Sequence, residues 1–384
     1  MFYQLPPVGN PICLASETEP ALPPDEYFSP YQARYYASGT AALAAAIIAA
    51  QRAKDVDNPE VILPAYACPD LISAAIYAGA RPVLVDLEAN SPWMHLAQLS
   101  ARAGSNTVAI IAANLFGISE RFAEIRRIAA QVNAVLIEDS AQAFPGREEP
   151  DIWEGDMVVL SFGRGKPVSL LGGGAVLSRD AELVELLPQV QAHNDNTSSK
   201  RLTFQLRARL YNQMISPWLY WLPRSLPFLH LGETRYHPLA EVAAMDQARL
   251  DLLPCNISAY QKRGMQVQHA IADMVEAMDA SAIGLVDLAG ICGVARKRRL
   301  LRYPLLVDAA IRDELYQQFA DAGMGVSVMY PSTLPGIPGL EALLRDQGPF
   351  PAAEAFAARI LTLPTHVGVR QADILKMQRL LADG

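Results

Sequence analysis

The sequence has few cysteines and few histidines, and their spacing suits neither a metal site nor a disulfide framework. Its 384 residues include four cysteines and six histidines. No two cysteines form a CxxC pair, and no histidine stands at ligand spacing from one. This distribution excludes a structural zinc site and predicts a reducing compartment. We expect His237 and His366 to be hydrogen-bonded structural residues, since no cluster surrounds either of them.

Long apolar runs and a basic charge balance are also missing. The longest apolar stretch, residues 41–50, is too short to span a bilayer, and the first residues lack the basic region and apolar core of a signal peptide. The net charge of −8, with a pI near 5.3, argues against nucleic acid as the main partner. We therefore expect a soluble, cytoplasmic protein whose one basic run, residues 296–299, is the solvated entrance to a strand.

Between residues 35 and 180, apolar runs alternate with helical patterns. The runs cover residues 61–64, 82–87, 108–115, 134–138, 157–162 and 175–178, and the helical patterns cover 40–54, 70–79, 119–133 and 179–193. Runs that are apolar at nearly every position are typical of strands covered by helices on both faces. The alternation predicts an α/β domain with a mostly parallel sheet, and ligands bind at the carboxyl ends of such strands.

Composition divides the chain into three parts. Residues 1–30 are rich in proline and acid and are expected to form an extended N-terminal arm. Residues 31–250 form the large domain, which includes an aromatic and proline-rich insert at 194–237 and an expected helix at 239–253. Residues 251–384, with long helices and a few strands, form a smaller C-terminal α+β domain.

The aromatic residues of the insert allow two interpretations. In the simpler one they pack on a neighbouring subunit, because aromatic residues are enriched at interfaces. In the other they form a gate or a dock for a bulky or lipid-linked substrate at a membrane surface. The residues concerned are Trp218, Tyr220, Trp221 and Phe228.

The first candidate element of a binding site is Ser38-Gly39-Thr40, which precedes an apolar helix. Small residues at a helix start leave backbone N–H groups free, and the positive end of the helix dipole attracts an anion. The same hydroxyls can equally serve only as helix caps, so this segment alone decides nothing.

The second candidate element is Asp139, which follows an apolar strand. A carboxylate in that position should be desolvated and therefore needs a partner. A protonated pyridine nitrogen is such a partner, and Gln142, three residues later, could face the same ring. If Asp139 is taken alone, a solvated acidic turn is an equally good interpretation.

Ser161 and Lys166 follow the next strand on a glycine-flanked loop. The serine hydroxyl suits a phosphate, and a partly desolvated lysine amine can attack a carbonyl to form a Schiff base. A solvated loop lysine is the simpler interpretation of Lys166 alone. Taken together, an anion cradle, a pyridine partner and a carbonyl-reactive amine in this order predict a pocket for pyridoxal 5'-phosphate (PLP).

At these motifs the chain resembles the DegT/StrS family of PLP-dependent enzymes, which are chiefly sugar aminotransferases. The matching segments are residues 38–43, 64–66, 79–86, 138–142, 161–166, 172–176, 243–250 and 360–366. The resemblance implies a fold-type I transferase, with a mostly parallel seven-stranded sheet sandwiched by helices and a smaller α+β domain. It also implies a homodimer that transfers an amino group from glutamate to a keto-sugar linked to a nucleotide, as in polysaccharide biosynthesis.

The resemblance further assigns a role to each candidate residue. Lys166 would form the Schiff base and move the proton, Asp139 would bind the pyridine nitrogen, and Gln142 would lie near the ring. The phosphate would be held by Gly39, Thr40 and Ser161. Since a dehydratase branch of the family lacks the lysine, its presence here favours transamination.

Three positions depart from the family's pattern. Cys68 stands where an aromatic residue usually stacks on the ring, and Arg235 where an asparagine of the partner subunit usually reaches the phosphate. Asn114 replaces a histidine. Cys68 and Arg235 are nevertheless expected to bind the cofactor. The departures keep two alternatives open: a non-catalytic or regulatory PLP-binding homologue, and another PLP reaction such as a dehydration or an aldol cleavage.

Overall fold

The computed structural model describes residues 3–14, 24–146, 153–190, 198–226, 232–279 and 283–383. Its main feature is a seven-stranded sheet in the order β1-β7-β6-β5-β4-β2-β3. Within the described chain, β7 alone runs against the other six strands of this sheet. The strands are β1 (Gln32–Tyr36), β2 (Glu60–Pro64), β3 (Arg81–Val85), β4 (Thr107–Ala113), β5 (Val135–Asp139), β6 (Met157–Ser161) and β7 (Gly174–Ser178).

Helices cover the sheet and build the rest of the chain. The first of them to pack on the sheet is rich in alanine, and its small side chains allow a close approach to the strands; nine of its residues are buried. The helices are α1 (Pro24–Tyr27), α2 (Gly39–Ala53), α3 (Asp70–Tyr77), α4 (Leu96–Arg102), α5 (Phe122–Gln131), α6 (Ala181–Leu186), α7 (Ser198–Met214), α8 (Trp221–Arg224), α9 (Gln247–Leu250), α10 (Leu253–Gln261), α11 (Gln266–Glu276), α12 (Leu288–Ile291), α13 (Arg312–Asp321), α14 (Pro351–Arg359) and α15 (Gln371–Asp383).

A second, antiparallel sheet lies in the C-terminal part, in the order β10-β9-β8. Its strands are β8 (Val286–Asp287), β9 (Arg302–Leu306) and β10 (Ile360–Pro364). Helices α13 and α15 belong to the same part of the molecule. The predicted fold class, a mostly parallel sheet with helices followed by a smaller α+β unit, is confirmed. The domain boundaries at residues 30 and 250 stay predictions.

At the edge of the large sheet, the structure adds one strand and corrects one prediction. The edge strand β1 is absent from the predicted strands, and residues 239–246 are not helical as expected. Instead, the N–H of Ala37 donates to the carbonyl of Ala243, and the N–H of Met245 donates to that of Tyr35. The exposed edge of β1 therefore finds its backbone partners in a segment whose apolar residues suggest a helix.

Residues 3–14 of the N-terminal arm contain no helix or strand and are fixed by hydrogen bonds to distant parts of the chain. Pro24–Tyr27 form the helix α1, which corrects the prediction of a wholly extended arm. His366 donates from Nε2 to the carbonyl of Pro6, 2.9 Å away. The side-chain amide of Asn212 accepts from the N–H of Ile12 at 2.7 Å and donates to its carbonyl at 2.8 Å. The expectation of a hydrogen-bonded structural role for His366 is thereby confirmed.

The basic run at residues 296–299 is not fully solvated, which corrects the prediction. Arg298 donates to the hydroxyl of Ser119, and Arg299 donates to the carbonyl of Tyr260. Two of the four basic side chains thus form hydrogen bonds with oxygens of the protein and do not point fully into solvent.

The insert contains the helix α7, which the sequence patterns do not predict. Three leucines four residues apart, Leu202, Leu206 and Leu210, lie on its outer face and are 64%, 64% and 52% exposed. Trp218 is also exposed, whereas Phe228 lies outside the described residues. In the part of the chain that the structure describes, no helix has the length and apolar character needed to cross a bilayer.

Candidate active site

The topology brings the predicted site residues to one edge of the large sheet. Asp139 is the last residue of β5 and Ser161 the last of β6, and these two strands are parallel. Strand β1 points the same way, so the start of α2 lies at this edge as well. A Cβ atom on Gly39 would lie 2.6 Å from the Cβ of Ser161 and 2.7 Å from its Oγ. Gly39 and Ser161 are therefore in direct contact.

The start of α2 offers a backbone donor. Ser38 caps the helix by accepting from the N–H of Ala41 at 3.0 Å. Ala42 is the first residue whose N–H bonds to a carbonyl of the same turn, that of Ser38 at 3.0 Å. The N–H of Gly39 belongs to the backbone bridge between Ser38 and Gly173, so the N–H of Thr40 is the one left for another acceptor in this described turn. Together with the hydroxyl of Ser161, it suits an anion.

Asp139 is the acidic group of the site. Burial raises the pKa of its carboxyl, while a hydrogen bond from the N–H of Ala141 (3.0 Å) and the charge of Lys166 oppose this shift. A buried carboxylate with one protein hydrogen bond is energetically unfavourable until a cation approaches it. Asp139 is thus suited to bind a protonated ring nitrogen.

Lys166 lies on the loop that follows Ser161. Its N–H donates to the carbonyl of Gly163 at 3.3 Å, and its own carbonyl accepts from the amide of Asn10 at 3.4 Å. A Cβ atom on Gly163 would lie 3.5 Å from Ser161 Oγ and 3.9 Å from Lys166 Cγ. The serine and the lysine therefore flank the same glycine, with the loop backbone fixed by the N-terminal arm.

Cys68 belongs to the same pocket. Burial, followed by the charge of Asp70, raises the pKa of its thiol to about 12, so the thiol is neutral at physiological pH. The charges of Lys166 and Asp139 also act on this thiol, in opposite directions. The structure therefore places Cys68 near both predicted reactive groups, at the position where the family resemblance implies contact with the ring.

Gln142 is buried and its amide is engaged by the protein. Oε1 accepts from the N–H of Phe116 at 2.8 Å, and Nε2 donates to the hydroxyl of Tyr330 at 3.0 Å. Phe116 has a φ of 62°, a left-handed conformation that is unfavourable for an aromatic residue, and the amide of Gln142 helps to hold it. The position of Gln142 near a cofactor ring stays a prediction.

Tyr66 and Tyr330 are two pocket residues that the sequence patterns do not identify. The hydroxyl of Tyr66 donates to the carbonyl of Tyr330 at 3.2 Å and accepts from its N–H at 3.2 Å. Their rings meet edge to face with centroids 5.5 Å apart. The only signals in the sequence are the Pro64-Ala65-Tyr66 turn and the Tyr330-Pro331 pair, because the contact joins residues far apart in the chain.

Asn114 has a structural role. Its amide donates to Glu138 Oε1 at 2.8 Å and to Ser140 Oγ at 2.9 Å, and its Oδ1 accepts from the N–H of Glu120 at 3.0 Å. These bonds connect the ends of β4 and β5. The asparagine therefore holds the backbone on both sides of Asp139.

Arg235 lies far from these residues in the sequence, near the start of the described range 232–279. It forms an ion pair with Glu233 (2.5 Å), and about half of its side chain is exposed. A surface position on one chain is compatible with a residue that serves a neighbouring subunit. Its contact with a phosphate stays a prediction.

Comparisons with known proteins agree with this arrangement. A model of the DegT/DnrJ/EryC1/StrS aminotransferase family matches residues 26–218, half of the chain. The UDP-2-acetamido-2-deoxy-3-oxo-D-glucuronate aminotransferase of Pseudomonas aeruginosa is 28% identical over 156 residues, which are 39% of this chain and 43% of that protein. A pleiotropic regulatory protein of Geobacillus stearothermophilus is 26% identical over 322 residues, 83% of this chain and 76% of that protein.

A solved structure extends the likeness to nearly the whole chain. The crystal structure of a DegT DnrJ EryC1 StrS aminotransferase from Brucella abortus has a TM-score of 0.65 at 21% identity, and the match covers 93% of this chain and 87% of that one. This similarity confirms the predicted fold-type I architecture. With half of its sequence matched by the family model and its fold shared with a member, the chain belongs to the DegT/DnrJ/EryC1/StrS aminotransferase family.

Proposed function

We propose that the protein is a PLP-dependent aminotransferase that transfers an amino group from an amino acid, expected to be glutamate, to a keto-sugar linked to a nucleotide. The observation that supports this best is the convergence of four groups at one edge of the sheet: the start of α2, Ser161, Asp139 and Lys166. Each of them offers what one part of the cofactor requires.

The residues of the edge fit PLP. The absence of a side chain at Gly39 lets Ser161 pack against the start of α2, and the Ser161 hydroxyl with the N–H of Thr40 suits a phosphate. The buried carboxylate of Asp139 suits a protonated pyridine nitrogen, whose charge would lower its pKa again. Lys166 would hold the aldehyde carbon through its amine, and Thr40 would share the phosphate. When bound, PLP supplies an electron sink for the amino-bearing carbon.

Lys166 is the proposed acid and base. Lys166 lies in a loop, outside the strands and helices, and hydrogen bonds with Asn10 and Gly163 hold its backbone. The amine at Nζ would therefore move the proton between the amino-bearing carbon and the cofactor carbon, first as general base and then as general acid. Asp139 stays ionised opposite the ring nitrogen throughout, because proton transfer takes place at Lys166.

The pocket wall orients the reacting groups and excludes water. Tyr66 and Cys68 of the large domain meet Tyr330 of the C-terminal part on one side of the site, and each is held by a hydrogen bond or by burial. Water would screen the interaction of Asp139 with a cation, so the burial of these neighbouring side chains strengthens it. The thiol of Cys68 would take the place of a stacking ring.

The acceptor and the assembly are inferred from the relatives. The Pseudomonas relative is named for a UDP-linked keto-sugar, which supports a nucleotide-linked substrate for this chain. The exposed position of Arg235 and the leucines on the outer face of α7 support a homodimer in which each subunit completes the other's site. The lack of any described membrane-spanning helix is compatible with a cytoplasmic enzyme.

A second candidate is a PLP-binding regulatory protein without turnover. It is favoured by one observation: the relative that matches the larger share of the chain is named as a pleiotropic regulatory protein. An intact pair of Lys166 and Asp139 supports catalysis instead, because a regulatory protein needs neither the base nor the electron sink. Another PLP reaction, such as a dehydration, would release a keto product without transfer.

The visible absorption spectrum of the protein with PLP, before and after excess glutamate, tests the proposal. We expect a band from the Schiff base that converts to the spectrum of pyridoxamine phosphate, and Lys166→Ala should show no such band. Borohydride should then attach the cofactor to Lys166 in the unmodified protein. A stable band that ignores glutamate and every other amino acid would favour the regulatory candidate, and the absence of any band would contradict the PLP pocket.

A further inference from the structure

A small cavity lies on the far side of the Lys166 loop, outside the site described above. It has a volume of about 40 Å³ and is lined by Val8, Asn10, Pro167, Tyr260, Arg263 and Arg299, among others. By the usual allowance of roughly 10–15 Å³ per water molecule, it has room for about three waters or for one small charged group.

Two arginines dominate its wall. The guanidinium groups of Arg263 and Arg299 lie 5.9 Å and 4.9 Å from the centre of the Tyr260 ring. Arg299 donates to the carbonyl of Tyr260, and Arg263 makes a long contact of 3.5 Å with the carbonyl of Pro11. Nη1 of Arg263 and Nε of Arg299 are nevertheless buried without an acceptor in the described protein. Buried donors of this kind are unfavourable until a ligand satisfies them.

A third buried arginine lies on the adjoining strand β9. Arg302 is 2% exposed, and its donors are taken up by neutral oxygens: Thr362 Oγ1 at 2.6 Å, the carbonyl of Gly325 at 2.8 Å, and the carbonyl of Pro7. Burial lowers the pKa of its guanidinium to about 9. Its positive charge is therefore hydrogen-bonded but not neutralised.

Negative charge is lacking around these groups. Among the described residues, no carboxylate forms an ion pair with Arg263, Arg299 or Arg302. Asp373 acts electrostatically on His366, which also lines the cavity, and this carboxylate is already engaged by Arg370. A chain with a net charge of −8 thus contains an interior region of uncompensated positive charge.

We propose that this cavity binds a small oxyanion, a phosphate or carboxylate group, between the guanidinium groups of Arg263 and Arg299. Planar guanidinium groups bind such groups through paired hydrogen bonds, and the two buried unsatisfied nitrogens supply the donors. The oxyanion is either free in solution or part of a metabolite. This site is distinct from the phosphate cradle at Gly39, on which the proposed PLP binding depends.

Occupancy of the cavity is coupled to the N-terminal arm and to the Lys166 loop. Asn10 lines the cavity and donates to the carbonyls of Lys166 (3.4 Å) and Pro167 (3.2 Å). Pro167 lines it from the other side. An anion bound at Arg263 would therefore stabilise the cavity wall, which Asn10 links to the backbone of the reactive lysine.

The test is the melting temperature of the full-length protein, saturated with PLP, during titration with sodium phosphate against sodium chloride at constant ionic strength. We expect a saturable rise of several degrees, which Arg263→Gln and Arg299→Gln each abolish. Arg296→Gln is the matched control, because Arg296 is exposed and pairs with Asp273 and Glu276, and it should keep the rise. Saturating PLP prevents phosphate from acting at Gly39, and parallel titrations with acetate separate carboxylate from phosphate binding.

Hydrogen exchange of the unmodified protein gives a second measurement if a variant fails to fold. Phosphate should slow exchange in residues 260–268 and in residues 3–14 of the arm. No rise in melting temperature with either anion, an equal rise in the Arg263 and Arg299 variants, or protection confined to other segments would overturn the proposal. None of these measurements uses amino transfer, so they remain informative if the proposed function fails.

Discussion

Gln142 reaches across the site to Tyr330, and its Nε2 donates to the phenolic oxygen 3.0 Å away. The two residues are separated by 188 positions in the chain. Because Oε1 of the same amide holds the N–H of Phe116, one side chain links a strained turn at the sheet edge with a tyrosine of the C-terminal part. The position of Tyr330 in the pocket is therefore set by the protein before any substrate binds.

Replacing Tyr330 with phenylalanine should destabilise the protein and impair the reaction together. The change leaves the buried Nε2 of Gln142 without its acceptor, which costs about 1–3 kcal/mol. We expect a lower melting temperature and a slower glutamate half-reaction. Tyr77→Phe is the control, since Tyr77 is 40% exposed, and should leave both unchanged. An unchanged melting temperature in Tyr330→Phe would show that the bond is dispensable.

Asp139→Asn should have opposite effects on stability and on function. Because burial raises the pKa of Asp139, its charged form is disfavoured in the cofactor-free protein at neutral pH, and the neutral asparagine should raise the melting temperature of that form. With PLP, the variant loses the partner of the ring nitrogen, and turnover should fall by about 10²–10³-fold or more. Thermal unfolding with and without PLP and a rate assay measure both. A turnover near that of the parent protein would exclude Asp139 as the partner.

His366 should make the protein sensitive to acid. Burial, assisted by the charges of Arg302 and Arg263, lowers its pKa to about 4. Between pH 6.5 and 4 the unfolded chain binds a proton at this position and the folded chain does not, so the free energy of unfolding falls as the pH drops. At 1.36 kcal/mol per unit, the total loss is on the order of 3 kcal/mol.

Urea unfolding measured between pH 7 and pH 4 tests this expectation. His366→Asn should show a smaller loss of stability over this range than the parent protein. His237→Asn, at an exposed histidine, should follow the parent protein at every pH. Parallel curves for the parent and His366→Asn would mean that His366 takes up its proton in the folded state.

A charge on the outer face of α7 should disrupt the proposed homodimer. Leu206 is 64% exposed and stands in the middle of the three leucines of this face. Leu206→Glu would place a carboxylate in an apolar interface, where burial disfavours it. Light scattering should then show the mass of one chain, whereas Leu343→Glu, at a leucine that is 52% exposed elsewhere, should keep the mass of two. A dimer in both variants would place the interface on another surface.

The sequence predicts the core of this fold well because the information is local. Strands β2 to β7 are apolar at nearly every position, and all six lie within two residues of their predicted bounds. Asp139 and Ser161 could be identified as site residues because each ends such a strand, and parallel strands end at a common edge. Glycine at position 39 points to a close approach for the same local reason.

What the sequence does not predict depends on partners far away in the chain. Residues 239–246 have helical composition, but their hydrogen bonds go to the edge of β1. Tyr330 contacts Gln142 and Tyr66, which are far from it in the chain, and no local pattern predicts those contacts. The burial of Arg302, three residues after the basic run, is likewise set by oxygens of the arm and of β10.

The contact between Gly39 and Ser161 restricts how this pocket can evolve. A side chain at position 39 would collide with the hydroxymethyl group at 161, with atoms only 2.6 Å apart. Position 39 is therefore restricted to glycine as long as residue 161 carries a side chain, whereas residue 161 can change beside a glycine. A combinatorial library that randomises position 39 alone would explore almost none of the accessible sequences.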